Sequence, residues 1–201
     1  LTLYLTAHWW EFMSSFEFGS FEADGWYPDP VGWGHQIISD ESKYGTHSAQ
    51  AIDDSGALWH ILTERPSDYY SFRLWFMIKG TMPTGISGGI FVRFLLNDSS
   101  DIQIYICTRA TVTPYLRCDY LSSSVNGTTA ISLNEWHMLH IRQWILNSSA
   151  NTLIYLDTFD SSEIEMTNNL SGLNIVEVSV QANKWVFGYT GRTIVDAIIG
   201  A

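Results

Sequence analysis

The sequence predicts an all-β protein whose strands run antiparallel in two packed sheets or in a barrel. Apolar and polar residues alternate with period two in many short segments, which is typical of half-buried strands. Clusters of Gly, Pro, Asn, Asp and Ser separate these segments at regular spacing. No stretch keeps apolar residues at helical spacing long enough to predict a helix. Because ten or more short strands in one domain need a common core, we expect them to close into a sandwich or barrel.

The predicted strands follow one another along most of the chain. Segment 135–146, EWHMLHIRQWIL, has apolar residues on both faces, so we expect a central strand that is covered on both sides. The chain has 201 residues, and no segment after residue 16 has the composition of a linker. The succession of strands therefore predicts a single main domain. The segments predicted as strands are, in order, 48–52, 57–63, 69–79, 89–96, 101–108, 114–121, 135–146, 151–158, 174–181 and 193–200.

The charge of the chain excludes several kinds of partner. It carries 10 Lys+Arg against 21 Asp+Glu, which is a net charge of −11 at pH 7. That balance repels nucleic-acid phosphates and anionic membrane surfaces, so neither is an expected partner. No apolar run reaches the roughly 18 residues that a membrane span needs. Calcium or a neutral glycan fits an acidic, aromatic-rich protein better.

Four Asn-x-Ser/Thr sequons lie in predicted turns. Turns are rich in Asn, Ser and Thr in any protein, which is the alternative explanation. We expect N-glycosylation at some of the four, which implies a secreted, extracellular or cell-surface protein. Their asparagines are Asn97, Asn126, Asn147 and Asn169.

The two cysteines lie on either side of one predicted hairpin turn. If the strands fold back about the segment RATVTP, Cys107 and Cys118 come opposite each other, at a separation that a disulfide can close. Two buried free thiols are the alternative. Since the sequons point outside the cell, we expect the disulfide.

The order of several motifs resembles a known superfamily. FEFGSFEADGW near the start is followed by SDESKYGTHSAQA, by the strand YYSFRLWFMIKG, by LNEWHMLHIRQWILNSSANTLIYLD, and by a closing RTIVDAIIG. Over residues 16–200 this order is similar to the concanavalin A-like lectin/glucanase superfamily, in its laminin-G-like and carbohydrate-binding-module branches. The resemblance implies an antiparallel two-sheet jelly-roll sandwich.

The resemblance also implies a structural calcium ion. In many members a glutamate of the first strand and an aspartate of the last strand bind calcium together with loop carbonyls. The matching residues here are Glu17 and Asp196. Two carboxylates suit calcium, which is bound by several oxygens. The sequence departs from the pattern where a second aspartate is replaced by Ala197, and where 45–48 only approximates the usual Ser-Gly-x-x-Ser hairpin.

The sequence lacks the catalytic motifs of the enzymes in this superfamily. Laminarinase-type members carry Glu-x-Asp-x-x-Glu on one strand, and here Glu163 and Glu165 share a face without the aspartate. Alginate lyases carry Gln-Ile-His, whereas this chain has Gln103 and Ile104 followed by Tyr105. His137 and His140 fall on opposite faces of one strand and cannot share a metal ion. We therefore expect a non-catalytic protein.

One loop has the composition of a carbohydrate site. The segment DGWYPDPVGWGH places Trp26, Tyr27 and Trp33 in a loop rich in Gly and Pro, where aromatic rings can stack on sugar faces. In the superfamily the tryptophan that matches Trp26 often fills the bottom of the sandwich, which is the alternative for this residue. A lectin-like module with its sugar site on loop 24–35 is one of two functional hypotheses.

The other hypothesis concerns residues 1–15, which precede the jelly-roll domain of residues 16–201. This N-terminal strand extension alternates like a strand and is too apolar to lie in water. It can pair with its own domain, or it can act as a donor strand for a neighbouring copy, forming an extracellular homopolymer such as a filament or surface layer. The assembly residues would be Leu1, Leu3, Leu5, Trp9 and Trp10.

Overall fold

A computed structural model confirms the all-β prediction. It describes residues 12–28, 35–51, 58–61, 69–80, 89–108, 113–146, 149–168, 173–181 and 192–200. Within these ranges the chain forms fifteen strands and one short 3-10 helix. No helix in these ranges has the length and apolar composition needed to cross a membrane.

The strands are numbered in chain order. The 3-10 helix spans Glu22–Asp24 and lies between β1 and β2. The strands are β1 Phe12–Ser14, β2 Tyr27–Pro28, β3 His35–Ile38, β4 Ser48–Ala51, β5 Leu58–Ile61, β6 Tyr69–Lys79, β7 Gly89–Leu96, β8 Asp101–Thr108, β9 Pro114–Tyr120, β10 Ser123–Asn126, β11 Trp136–Leu146, β12 Ser149–Leu156, β13 Ile164–Asn168, β14 Ile175–Val180 and β15 Arg192–Gly200.

Two antiparallel sheets form the sandwich. The eight-stranded sheet has the order β13-β12-β11-β6-β15-β4-β3, with β1 also paired to β15. The seven-stranded sheet has the order β10-β9-β8-β7-β14-β5-β2. As the apolar pattern of segment 135–146 predicts, β11 is an inner strand, paired with β6 on one side and β12 on the other.

The core lies between the inner faces of the two sheets. Large aromatic side chains fill it, and their rings meet edge to face, as in the pairs Tyr70–Phe94 and Phe72–Phe94. Each such ring contributes about 1.5–3 kcal/mol when it is fully removed from water. Because side chains alternate along each strand, the residues between the core positions point to the outer faces of the sheets. Those outer faces carry most of the polar side chains of the two sheets.

Five short strands, β1, β2, β3, β10 and β13, were not predicted from the sequence. They have two to five residues each, and all except β1 lie at the edges of the two sheets. β10 shows the reason clearly, since its burial pattern has no buried residue and therefore no alternation to read. Asn126, predicted to lie in a turn, is instead the last residue of β10, whereas Asn97 lies in the predicted turn after β7.

The predicted disulfide is wrong. Cys107 and Cys118 are both free and buried. The β8–β9 register pairs Cys107 with Tyr115 and Cys118 with Ile104, so the hairpin turns earlier than the sequence prediction assumed. The shift is three residues, an odd number, so the two cysteines also lie on opposite faces of the sheet. Cys118 faces the core, where its Sγ lies 4.0 Å from Sδ of Met166.

Part of the N-terminal extension pairs with its own domain. In β1, Phe12–Ser14 run antiparallel to Ile198–Gly200 of β15 in the same chain. Ser14 is fully buried there. Leu1, Leu3, Leu5, Trp9 and Trp10 lie outside the described residues, so their pairing with a neighbouring copy stays a prediction.

Candidate functional site

A row of hydrogen-bonded polar side chains crosses the outer face of the seven-stranded sheet. It begins on β7, crosses β8 and β9, and ends on the edge strand β10. The period-two alternation of each strand places these side chains on one face, while the intervening Ile102, Ile104, Leu116 and Cys118 face the core. We call this row the polar ladder; its residues are Arg93, Asp101, Gln103, Tyr105, Arg117, Asp119 and Ser124.

One half of the ladder is organised by Asp119. Arg117 donates to both oxygens of this carboxylate, from Nε to Oδ1 over 2.7 Å and from Nη2 to Oδ2 over 2.5 Å. Ser124 Oγ on β10 donates to Oδ1 over 2.5 Å. The two-pronged arginine–carboxylate contact holds both side chains in one orientation. The Arg117 guanidinium also lies 5.5 Å from the centre of the Tyr105 ring.

Asp101 organises the other half. Its Oδ2 accepts from Nε of Arg93 over 2.6 Å and from Nε2 of Gln103 over 2.7 Å. The hydroxyl of Tyr105 donates in turn to Oε1 of Gln103. Among the residues that the structure describes, Oδ1 of Asp101 accepts no hydrogen bond, so this oxygen is free to bind a ligand hydroxyl.

The ladder is electrically balanced and partly exposed. Two arginines face two aspartates, so the charges of the row cancel. The paired side chains keep between 19% and 34% of their surface exposed, which leaves them reachable from solvent. Burial raises the pKa of the Tyr105 hydroxyl, and the Asp119 carboxylate adds to that effect. Tyr105 therefore carries its proton at neutral pH and acts as a hydrogen-bond donor.

Two further groups lie beside the ladder on the outer face. Glu177 of β14 is opposite Leu95, and burial raises the pKa of its carboxyl although Arg93 opposes the effect. Cys107 follows Tyr105 on the same face of β8, and burial raises its pKa to about 11. A thiol with that pKa is protonated and unreactive at neutral pH. Cys107 therefore adds packing rather than nucleophilic chemistry.

Glu17, one of the two residues expected to bind calcium, caps the hairpin of residues 42–47. Its Oε1 accepts from the backbone N–H groups of Thr46 and His47, each over 2.8 Å. The hydroxyl of Thr46 donates to Oε2 over 2.8 Å. Chiefly because of the hydrogen bond from His47, followed by those from Thr46, the pKa of Glu17 is lowered from 4.5 to about 2.

Asp196, the other expected ligand, meets the same hairpin from β15. Its Oδ2 accepts from the backbone N–H groups of Lys43 and Tyr44, over 2.8 and 2.9 Å. Its Oδ1 accepts from the N–H of Ala197 over 2.7 Å. Burial raises the pKa of Asp196 in spite of these bonds, and the Glu17 charge acts in the same direction. We call Glu17 and Asp196 with these N–H groups the carboxylate latch.

The contacts of the carboxylate latch do not fit a calcium site. Calcium needs about six to eight oxygen ligands, and loop carbonyls normally supply several of them. Here the hairpin presents N–H groups to both carboxylates, and an N–H group repels a cation. Within the described ranges no three His, Cys, Asp or Glu side chains come together around one point. Calcium stays a prediction from the resemblance, and no step below depends on it.

The aromatic loop predicted to bind sugar is only partly described. Trp26 is buried, with none of its surface exposed, so its ring is not available to a ligand. The alternative, that Trp26 fills the bottom of the sandwich, matches its place in the core with Phe16 and Phe21. The side chain of Tyr27 and the whole of Trp33 lie outside what the structure describes, so their role stays a prediction.

Two of the four sequons can be located. Asn97 and Asn126 are both exposed. Oδ1 of Asn97 accepts from the backbone N–H of Asn174 over 3.1 Å, which orients the side chain and leaves the amide nitrogen, the atom that a glycan would modify, at the surface. Asn147 and Asn169 lie outside the described residues. Glycosylation stays a prediction at all four.

The carboxylate pair considered for hydrolysis serves a structural role. Glu163 accepts from the backbone N–H of Thr129 over 2.7 Å and from its hydroxyl over 2.5 Å, and it also accepts from the N–H of Thr128. These bonds hold the turn after β10 against the start of β13. Glu165, on β13, is exposed. Glu163 is therefore held by the turn after β10, whereas Glu165 lies at the surface.

The polar ladder was not identified from the sequence as a site. The residues of the ladder form the patterns D-x-Q-x-Y in β8 and R-x-D in β9. Within a single strand these are ordinary outward-facing polar residues. The ladder exists only because Gln103 pairs with Asp119 and Tyr105 with Arg117 across the hairpin. That register depends on the centre of the turn, which the sequence prediction misplaced.

The fold has clear counterparts among solved structures. No protein-family model matches the chain, and no curated protein sequence does. The cellulose induced protein Cip1 superposes with a TM-score of 0.62 at 11% identity, covering 95% of this chain and 97% of that chain. The Ca²⁺-bound exoplasmic/lumenal domain of VIP36 gives 0.56 at 12% identity, covering 95% and 88%.

A third counterpart is a glycosyl hydrolase family protein from Mycobacterium fortuitum. It gives a TM-score of 0.53 at 12% identity, covering 96% of this chain and 99% of that chain. Identities this low show the fold alone. The fold is the concanavalin A-like jelly roll, as the motif order implied.

Proposed function

We propose that this chain is a non-catalytic carbohydrate-binding protein, and that the polar ladder of its seven-stranded sheet binds a neutral glycan. The observation that carries the proposal is the row of polar side chains on four adjacent strands. They form two hydrogen-bonded groups, and the contact between the Arg117 guanidinium and the Tyr105 ring joins them. Sugar hydroxyls both donate and accept hydrogen bonds. The ladder offers carboxylate acceptors, guanidinium donors and the amide of Gln103, which does both.

The ladder is also preorganised. Each of its side chains is already held by a neighbour, so little rotamer freedom is lost when a ligand binds. The ring of Tyr105 supplies an apolar surface next to these polar groups. Since the ladder charges cancel, a neutral sugar meets no uncompensated charge there. The VIP36 domain, which has a similar fold, has been solved with Man3GlcNAc bound.

The way in which the ladder aspartates are held supports the proposal of binding without cleavage. Asp101 and Asp119 are bound to arginine N–H groups, so neither presents a free proton to a leaving oxygen. Glu177 has a raised pKa but faces Arg93 rather than a second free carboxylate. A reducing-sugar assay checks this part of the proposal; release of new reducing ends that is lost in Glu177→Gln would show an enzyme instead.

A glycan array of neutral oligosaccharides, including mannose oligomers, tests the site, and calorimetry measures each hit. We expect Gln103→Ala and Tyr105→Phe each to weaken binding about tenfold, the equivalent of roughly 1.4 kcal/mol. Arg192→Gln, which alters a surface ion pair on the other sheet, is the matched control and leaves binding unchanged. A blank array, or hits that both ladder variants retain, would contradict the proposal. Loss of binding in Trp33→Ala alone would place the site on loop 24–35 instead.

A second candidate function is self-assembly into an extracellular filament or surface layer through residues 1–11. The observation in its favour is that β1, which directly follows residues 1–11 in the sequence, pairs with the last three residues of β15. Because Ser14 is buried, the informative truncation removes residues 1–11 and keeps β1. We expect light scattering to show polymers for the full chain and monomers for the truncated chain. A full chain that stays monomeric at high concentration would contradict assembly.

The extracellular location is part of the same proposal. Exposed Asn97 and Asn126 are the sequons that a glycosyltransferase can reach among the described residues. Expressed with a secretory leader in a eukaryotic host, the chain should lose mass on treatment with an N-glycosidase. Asn97→Gln and Asn126→Gln should each remove one glycan. A secreted chain whose mass is unchanged by the enzyme would contradict glycosylation.

A further inference from the structure

A stack of cations and aromatic rings crosses the outer face of the other, eight-stranded sheet. Arg73 lies 5.8 Å from the ring centre of Phe159, and that ring lies 5.1 Å from the ring of His140. His140 stacks on Tyr155 at 5.6 Å, and the Arg142 guanidinium lies 4.9 Å from the centre of the Tyr155 ring. We call these five side chains the arginine–aromatic stack.

The strand register explains why these residues meet. Arg73 on β6, His140 on β11 and Tyr155 on β12 lie opposite one another across three neighbouring strands. Arg142 is opposite Ser71 in the adjacent row, and Oγ of Ser71 lies 2.9 Å from Nε2 of His140. Phe159 comes from the turn after β12 and lies over the row.

The two arginines of the stack have no carboxylate partner in the part of the chain that the structure describes. Among the described residues, Arg93, Arg117 and Arg192 each form an ion pair with an aspartate, but Arg73 and Arg142 form none. This is unusual in a chain with 21 acidic and 10 basic side chains, where a carboxylate partner is easily found. An arginine packed on a ring keeps its N–H donors at the edge of the guanidinium plane, where they can bind an anion.

Buried polar atoms point to the same place. His140 is more than nine-tenths buried, and its Nδ1 has no hydrogen-bond partner within the described residues. Nε of Arg142 is likewise buried without a partner in that part of the chain. Buried polar atoms are normally hydrogen-bonded, so two of them beside unpaired arginines indicate a missing acceptor.

We propose that the arginine–aromatic stack is a second ligand site, which binds the anionic group of an acidic sugar. Arg73 and Arg142 bind a carboxylate or sulfate through their N–H groups. Phe159 is 45% exposed, so its ring can pack against the apolar face of the sugar. This site lies on the opposite sheet from the polar ladder and does not depend on it.

His140 gives the site its own reporter. Burial, followed by the positive charges of Arg142 and Arg73, lowers the pKa of His140 to about 4. The side chains in contact with it are Ser71, Tyr155 and Phe159. An anion bound between the arginines offsets their charge, so the pKa of His140 rises when the site is filled.

Calorimetry of the full chain with three probes tests the proposal: a galacturonic acid trimer, a sulfated galactose trimer and a neutral galactose trimer. We expect one or both acidic probes to bind, and the neutral trimer to leave the stack unoccupied. Arg73→Gln and Arg142→Gln should each weaken acidic binding at least about tenfold. Arg192→Gln is the control, and it should bind like the unmodified chain.

An NMR titration of the His140 ring provides the second measurement. Its pKa should rise in the presence of the acidic probe that binds, and the rise should be absent in Arg142→Gln. Failure of both acidic probes, or binding that survives in both arginine variants, would overturn the proposal. If Arg192→Gln weakened the binding of the acidic probe as much as Arg73→Gln and Arg142→Gln do, the probe would be attracted by positive charge in general. That result would also overturn the proposal. Gln103→Ala leaves acidic binding unchanged, so failure of this site and failure of the polar ladder are distinguishable.

Discussion

The backbone N–H of Tyr44 donates a hydrogen bond of 2.9 Å to Oδ2 of Asp196, across 152 positions of the chain. Lys43 donates to the same oxygen, while Thr46 and His47 donate to Glu17 near the other end of the chain. One hairpin is thereby joined to both β15 and the segment after β1. Contacts between such distant segments close long loops, so the carboxylate latch should matter for stability rather than for binding.

Replacement of Asp196 by Asn should destabilise the fold. The carboxylate accepts three backbone N–H groups, and an amide presents its NH₂ group to at least one of them. Charge-assisted bonds of this kind contribute about 1.5–3 kcal/mol, so we expect a loss of that order in the free energy of unfolding. Urea unfolding followed by tryptophan fluorescence measures it. Asp40→Asn, at an exposed ion pair with Arg192, is the control and should cost far less.

Glu17 should make the free energy of unfolding depend on pH in the acidic range. Its pKa is about 2 in the folded protein and 4.5 in the unfolded chain, so the unfolded state binds the proton first as the pH falls. Its stabilisation is therefore complete above pH 4.5 and is lost as the pH falls from 4.5 towards 2. Glu17→Gln should flatten the stability profile in this window, whereas Glu135→Gln, at an exposed site, should not. Asp196 has the opposite effect on the free energy of unfolding. Because its pKa is raised in the folded protein, its contribution to stability falls as the pH rises.

The carboxylate latch should hold without calcium. Both carboxylates are occupied by N–H donors, so we expect the same melting temperature in excess chelator and in millimolar calcium. Gly45→Ala should lower it in either condition, because Gly45 has φ of +69° and a Cβ there would collide with the carboxylate of Glu17. A melting temperature that rises with calcium, and no longer does so in Asp196→Asn, would show that the metal predicted from the resemblance binds here.

The two cysteines should behave as buried thiols. Burial raises the pKa of Cys107 to about 11 and that of Cys118 to about 12, so neither forms a thiolate at neutral pH. We expect Ellman's reagent to find no reactive thiol in the native protein and two after denaturation without reductant. If the two thiols did not react with the reagent in denaturant and reacted only after reduction, the predicted disulfide between Cys107 and Cys118 would be present.

The sequence contained most of the fold but little of the surface chemistry. Alternation located every long strand, because a half-buried strand must repeat with period two. It could not locate β10 or the pairing across the β8–β9 hairpin, since an exposed edge strand has no alternation and a register depends on the turn. The resemblance gave Glu17 and Asp196 as calcium ligands, which stays a prediction. In the structure both carboxylates accept hydrogen bonds from N–H groups of hairpin 42–47.

The arginine–aromatic stack shows the same limit more sharply. Ser71 and His140 are 69 positions apart, and only the order β6-β11-β12 brings their strands together. Read strand by strand, Arg73 and Arg142 are ordinary outward-facing residues. Whether an outer-face arginine has a carboxylate partner depends on neighbours in space, which the linear pattern does not contain.

Gln143 should be a site where a polar residue can be replaced with a gain in stability. It is fully buried on β11, opposite Tyr70 and Thr152, and neither of its amide atoms has a hydrogen-bond partner among the described residues. An unsatisfied buried amide costs about 1–3 kcal/mol, so Gln143→Met, which keeps the length of the side chain, should raise the free energy of unfolding by up to about 2 kcal/mol. Gln50→Met is the matched control, because Gln50 accepts a bond of 2.7 Å from Arg192 and should gain nothing. A loss of stability in Gln143→Met, measured by urea unfolding at an unchanged m-value, would show that this amide is hydrogen-bonded in solution, for instance to a buried water molecule.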